Sequence, residues 1–208
     1  MTTDRSATAA GTSRDWRTFE PVPLTPILAG ALEAFYEHGY HGTTVRDIAR
    51  RVGVTVPALY YHHPSKEALF VTLLLLGTDD VADRAEAAVA DADDAVQALS
   101  NLTEVVVLHM TTRHKLAALD LEARYLGQES RARYAAPRRR IDALVDRVVA
   151  DGVESGQFHP TDVHEAARAL LGMWQSIARW FRDDGTLSGE EIAARYVPLS
   201  LATVGHGG

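Results

Sequence analysis

Apolar positions recur along this chain with the period of a helix, and no stretch alternates like a strand. Beginning at Thr25, a first helix is marked by Ile27, Leu28, Ala31, Leu32 and Phe35, a stripe one helical face wide. The stretch "HGYHG" ends it, with Gly39 suited to a left-handed cap and Gly42 to a further turn. Thr44 can cap a second helix, and Asp47 three residues on completes a capping box. Val45, Ile48, Ala49 and Val52 make its buried face and leave Arg46, Arg50 and Arg51 pointing out. Gly53 stops this helix at once. Thr55 then caps a very short third helix, where Pro57 is tolerated in the first turn. "HHPS" breaks it, and Ser65 caps a fourth helix with Glu67 in its opening turn. Short helices joined by such tight turns are the helix-turn-helix arrangement.

After Phe70 the pattern changes to long helices rich in Ala, Leu, Val, Glu and Arg, with breaks expected near 91–94, 113–115, 127–130, 156–161 and 183–188. Segments 162–182 and 189–204 are apolar on more than one side, so each is either deeply buried or half of an interface. Residues 1–22 are rich in Thr, Ser, Ala and Gly and read as a mobile tail, from which Arg14 and Arg17 could touch a phosphate. The expected organisation is therefore all-α. A flexible tail over 1–22 precedes a helix-turn-helix domain over 23–70 and a larger helical domain over 71–208.

Charge sharpens this picture more than composition does. The apolar share of 46% suits an ordinary core, and the absence of cysteine excludes disulfides and thiolate chemistry. The start of the chain lacks the apolar region of a signal peptide, and the run "LFVTLLLLG" (69–77) is too short to span a bilayer. A cytoplasmic protein with no membrane partner is expected. The whole net charge of −7 resides in 71–208. Residues 40–66 instead carry Arg46, Arg50, Arg51 and Lys66 against Asp47 alone, with His41, His62 and His63 beside them. That positive island is where a polyanion would dock, although such charges can also form a plain solvated face.

Enzyme chemistry finds no support. His109 and His114, like His159 and His164, are five residues apart, which places them on different faces of a helix. No H-E-x-x-H, no E-x-x-H and no glycine-rich phosphate loop occurs, and "GVESG" (152–156) is not a nucleophile elbow. No cofactor is expected.

The stretches "GYHGTTVRDIARRVGV" and "PALYYHHPSKEAL", in that order and spacing, resemble the DNA-binding domain of the tetracycline-repressor (TetR) family. The resemblance covers roughly 27–70 and is weaker beyond. It implies a one-component transcriptional regulator, most often a repressor, that binds an inverted-repeat operator in double-stranded DNA as a homodimer. A small hydrophobic effector in the larger domain, an acyl-thioester or another hydrophobic metabolite on the texture of the closing helices, would release it. A ligand-responsive activator, a regulator governed by a protein partner and, more remotely, a helical enzyme remain open alternatives.

Carried onto this chain, the resemblance assigns DNA contact to Thr44, Arg46, Thr55, Val56, Pro57, Ala58, Tyr60, Tyr61, His62 and Lys66. Physical chemistry supports parts of that set. Thr44 stands at a helix N-terminus, where free N–H groups favour an anion, though capping alone also explains it. Val56, Pro57 and Ala58 can pack only on thymine methyls, whereas Thr55 and His62 can form hydrogen bonds. Tyr60 can pack by its ring and still reach a phosphate. Arg50 and Arg51 suit intramolecular pairing better than DNA. His109, Met110, Asp120, Glu122 and Tyr125 interrupt apolar helices, and His109, Met110, Tyr125, Met173 and Trp174 are the expected pocket residues. Leu170, Trp174, Ile177 and Phe181 are expected at the dimer face.

Overall fold

The computed structural model describes residues 15–207, and nine α-helices with no strand are found among them. The first four are α1 (Pro26–Gly42), α2 (Val45–Val52), α3 (Val56–His62) and α4 (Lys66–Ala90). Each begins where a side chain satisfies an orphan backbone N–H. Thr25, Thr44, Thr55 and Ser65 accept from Leu28, Asp47, Ala58 and Ala68 respectively. Thr44 and Asp47 form the full capping box, and Gly53, at φ 71°, ends α2 in the left-handed conformation. The chain therefore turns sharply into α3, and Leu59 from α3 is fully buried beside Ile48 and Phe35.

Gly39 does not terminate α1 as expected. It adopts φ 70° and ψ 172°, and a last helical turn resumes beyond it through Gly42. The kink presses the backbone against the carboxylate of Glu122, which accepts the N–H of Tyr40. A Cβ at position 39 would lie 2.8 Å from that carboxylate oxygen, so both the dihedral and the contact demand glycine.

The remaining helices are α5 (Ala95–Thr112), α6 (His114–Leu119), α7 (Gln128–Glu154), α8 (Val163–Trp180) and α9 (Gly189–Thr203), with a 3-10 segment over Asp120–Tyr125 before α7. Asp94, Asp162 and Ser188 cap α5, α8 and α9. The breaks thus fall where the turn residues place them, except that the run between the second and third breaks is split into α6 and the 3-10 segment. The division expected at 70/71 falls inside α4, which runs unbroken into the larger domain. Leu69, Phe70, Leu73 and Leu74 of α4 belong to the core of the small domain. Val81, Ala85 and Ala88, further along, belong to the core built by α5, α7, α8 and α9.

Two other expectations are corrected. Residues 1–14, with Arg14, lie outside the described residues, but 15–22 is not a free tail. Trp16 is buried in the larger core, and its indole N–H donates to Asp91 at 3.3 Å. Arg84, with a side chain 1% exposed, pairs with Asp80 at 2.9 Å and donates to the carbonyl oxygens of Trp16 and Thr18 at 3.2 and 2.8 Å. Arg113 donates to Asp80 and to the carbonyl oxygen of Glu20. Two buried guanidiniums therefore clamp a segment whose composition alone suggests mobility. Arg17, expected to reach a phosphate, lies over the Trp16 ring and pairs with Glu104 at 3.2 Å.

The second correction concerns α8. Leu170, Trp174 and Ile177 are wholly buried within the protomer, and the Trp174 indole N–H donates to Ser200 of α9 at 3.1 Å. These side chains hold α8 to α5 and α9 and are not surface residues. Phe181 is half-buried against the same core. The outer faces of α8 and α9 instead expose Ala169, Gly172, Trp180, Ala194, Pro198, Leu199 and Ala202.

Because Trp16 anchors the N-terminal segment, Trp16→Ala should lower stability by about 3–5 kcal/mol. Thermal unfolding should show this as a melting point lower by roughly 10 °C. An unshifted melting point would mean that the segment is not part of the folded unit.

Candidate nucleic-acid interface and buried cavity

The small domain presents α3 on its outer surface. Leu59 anchors α3 from beneath, and Thr55, Pro57, Ala58, Tyr60, Tyr61 and His62 are exposed, Tyr61 the most at 87%. Val56, expected among them, is half-buried against the small core. The ring of its neighbour His62 lies beside that of Tyr61, with centres 5.3 Å apart. Thr44 is exposed at the start of α2, and Arg46, two residues on, is exposed with no ion pair among the described residues. Arg50 pairs with Asp47 at 2.7 Å, and Arg51 holds Glu37 in a two-pronged contact. The arginines on α2 thus divide as their spacing suggests, two bound to the chain and one available.

Lys66 behaves differently from a free surface lysine. Its ammonium donates to the carbonyl oxygens of Tyr40 at 2.7 Å and Thr43 at 3.0 Å, and lies 4.2 Å from the centre of the Tyr40 ring. Burial pushes its pKa below the ordinary lysine value. Two of its three hydrogens tie the start of α4 to the end of α1, which leaves one for a phosphate.

In the larger domain a cavity opens between α4, α5, α6, α7 and α8. About 50 Å³ of it is open to the centre of a water molecule. Leu74, Val81, Val106, Leu116, Ile141 and Leu171 supply apolar walls. Of the five expected pocket residues, His109, Met110 and Trp174 line it. Met173 and Tyr125 do not: Tyr125 is exposed near the small domain, with His41 stacked edge-on at 4.3 Å. Asp120 lines the cavity in an ion pair with Arg138, whereas Glu122 is committed to Tyr40. Residues missed by sequence reasoning come from α4 and α7, chiefly Gly77, Thr78, Tyr134, Arg138 and Asp142. A signal existed in α7, because Tyr134, Arg138 and Ile141 follow the i, i+4, i+7 spacing of one face.

The cavity's electrostatics follow from the burial of its titratable groups. Burial raises the pKa of Asp120, against the pull of Arg138, and also raises that of Asp142. His109 is 4% exposed, and burial lowers its pKa to about 3, with Arg113 and Arg84 pressing the same way and Asp80 opposing. The imidazole is therefore neutral at ordinary pH. No cluster of three metal-ligating side chains occurs among the described residues, and no helix there is long and apolar enough to cross a membrane.

The His109 shift carries a sign. Below the ordinary histidine value of 6.5 the unfolded chain takes up a proton that the folded chain refuses until about 3, so stability falls as pH drops through that window. One such group contributes a slope of up to about 1.4 kcal/mol per pH unit. His63, also held low by burial, acts with the same sign, whereas Asp120 and Asp142 act oppositely nearer the carboxylate range. Denaturant unfolding of wild type and His109→Leu between pH 6.5 and about 5 isolates the His109 share. The wild type should lose stability more steeply, and parallel curves would contradict the assignment.

Comparison with known proteins agrees with this architecture. Residues 27–73 match the family model of the bacterial regulatory proteins of the tetR family, and residues 92–204 match the tetracyclin repressor-like C-terminal domain. The chain is 29% identical over 180 residues to the HTH-type transcriptional repressor KstR2 of Rhodococcus jostii, covering 85% of this chain and 88% of that one. The TetR-family regulator PfmR of Thermus thermophilus superposes with a TM-score of 0.79 at 33% identity, covering 85% of this chain and 97% of that one. AibR, solved in complex with isovaleryl coenzyme A and operator DNA, superposes with a TM-score of 0.75 at 28% identity, covering 83% and 95%. With both models matched and the helix-turn-helix and cavity-bearing domain in place, the chain belongs to the TetR family of transcriptional regulators, which act by binding DNA and not as enzymes.

Proposed function

We propose that this protein is a homodimeric repressor that binds an inverted-repeat operator and releases it when a small acyl-thioester enters the cavity. The observation that carries this reading is α4. Its first turn is fixed to the small domain through Lys66, which donates to the carbonyls of Tyr40 and Thr43, and its middle residues Leu74, Gly77, Thr78 and Val81 wall the cavity. Twenty-five helical residues span roughly 37 Å, so one stiff element reaches from the recognition helix to the ligand site. An occupant larger than the present cavity must push α4 or α7 aside, because close-packed interiors shift between arrangements and do not stretch. Lowering operator affinity a thousandfold this way requires ~4 kcal/mol of difference in ligand affinity between the two states.

The ligand class is argued from the continuity of the site. Arg138, Asp142, Leu171 and Gln175 line both the cavity and an open groove bounded by His164 and Arg168. A molecule with an apolar end and a long polar end fits that sequence of environments, as an acyl chain on a polar carrier does. The isovaleryl coenzyme A held by AibR supports this class.

On the DNA side, α3 would enter the major groove with Pro57 and Ala58 against thymine methyls, and Thr55 would supply a hydrogen bond to a base edge. Tyr60, Tyr61 and His62 would flank it. Arg46, Thr44 and the remaining hydrogen of Lys66 would hold phosphates. One helix of seven residues reads few base pairs, so two copies are needed, ~34–36 Å apart on one face of the duplex. The outer faces of α8 and α9, with Trp180 and Leu199 exposed at 46% and 51%, form an apolar patch suited to bury against a second copy.

Fluorescence anisotropy of a labelled fragment of the gene's own upstream region tests this reading. Affinity should fall steeply with salt, and Arg46→Ala should weaken binding and reduce the log–log salt slope by about 2 per dimer. Isovaleryl- or hexanoyl-coenzyme A should release the wild-type complex. Salt-independent binding, or affinity that no acyl-coenzyme A changes, would refute the proposal.

A further inference from the structure

We infer that the cavity selects acyl chains carrying an oxygen function within the chain, a keto or hydroxyl group bound by His109 and Tyr134. This deepens the proposed function and rests on the reading of the cavity as an acyl-thioester site.

The two side chains come from different walls, His109 from α5 and Tyr134 from α7, and both line the cavity. Both residues are more than nine-tenths buried, at 4% and 6% exposure. Each keeps a buried polar atom without a hydrogen-bond partner, Nδ1 of His109 and the phenolic oxygen of Tyr134. Thr103 Oγ1 and Arg84 Nη2 are also buried without a partner, but neither residue lines the cavity; elsewhere in the domain Asn101 donates to Ala88, and Thr111 donates to Val107. The Asp120–Arg138 pair in the cavity wall is likewise matched within the chain.

Leaving two polar groups unpaired in an apolar site is costly, and Phe or Leu would fill the same space at no such cost. Their presence is accounted for if a ligand completes them. A neutral imidazole and a phenol can each donate or accept, so together they suit a carbonyl or a hydroxyl and demand no charge. A plain hydrocarbon chain would leave both orphaned in the bound state. Sites built to hydrogen-bond a group reject the analogue lacking it far more strongly than apolar pockets reject an extra methylene.

The test measures binding to the full-length protein by calorimetry. Hexanoyl- and octanoyl-coenzyme A are compared with the same chains bearing a keto or hydroxyl group at successive carbons. The best oxygenated chain should bind at least about tenfold tighter than its plain counterpart in the wild type. Tyr134→Phe and, independently, His109→Leu should each shrink that ratio by at least about fivefold. Because the readout is a ratio within one protein, general loosening of the fold does not mimic it. A wild-type ratio near one, or a ratio preserved in both variants, overturns the inference. Oxygen-dependent binding that fails to release the upstream fragment supports the inference and sinks the proposed effector role. If no thioester of either series binds, both readings fall.

Discussion

One helix has to satisfy two hydrophobic cores at once. The first half of α4 supplies Leu69, Phe70, Leu73 and Leu74 to the small domain, and the second half supplies Val81, Ala85 and Ala88 to the large one. Neither core can reposition α4 without disturbing the other. Leu116, Leu119, Leu126 and Tyr134, from the larger domain, also pack into the cluster of the small one. The head that faces DNA is thereby joined to the cavity by continuous packing and not by a flexible linker. That is the condition under which a change in one region becomes a change in the other.

Buried charge reinforces this joint. Asp80, one turn before Arg84 on α4, is shared by Arg84 and Arg113, and those guanidiniums in turn hold the carbonyls of the N-terminal segment. Phe19 lies over both, 4.3 Å from Arg84 and 5.2 Å from Arg113, with His109 at 6.4 Å. Buried ions in such a network contribute little net stability, but removing any partner strands the rest, so the arrangement favours a single geometry. Residues 16–20 therefore act as a strap over the middle of α4, next to the cavity wall.

Local chemistry was legible in the sequence, and long-range packing was not. Thr25, Thr44, Thr55 and Ser65 each cap the helix that their position announces, and Gly53 takes the left-handed conformation that the turn requires. Such features depend on residues within one turn. Gly39 shows the limit: its positive φ was foreseen, but the carboxylate of Glu122, more than eighty residues away, lets the helix resume beyond it. Composition suggested that Trp16 sits in a tail, because the guanidinium clamp on its backbone comes from Arg84. Trp174 and its neighbours on α8 were legible as apolar, but period alone does not say whether such a face meets α9 of the same chain or a second copy. The cavity was half visible, through His109, Met110 and Trp174, and its α7 wall was lost among the many arginines of that helix.

In the proposed mechanism, occupancy of the cavity moves α4 and so resets the separation of the two recognition helices. The chain contains no cysteine, which makes a single engineered label clean. Arg50→Cys places a spin label on the exposed face of α2, and pulsed dipolar spectroscopy then reads the distance between the two heads of the dimer. Addition of an acyl-coenzyme A that releases the upstream fragment should shift the distance distribution by several Å. A distribution unchanged at saturating ligand, or no dipolar signal because the protein is a monomer, would contradict the account.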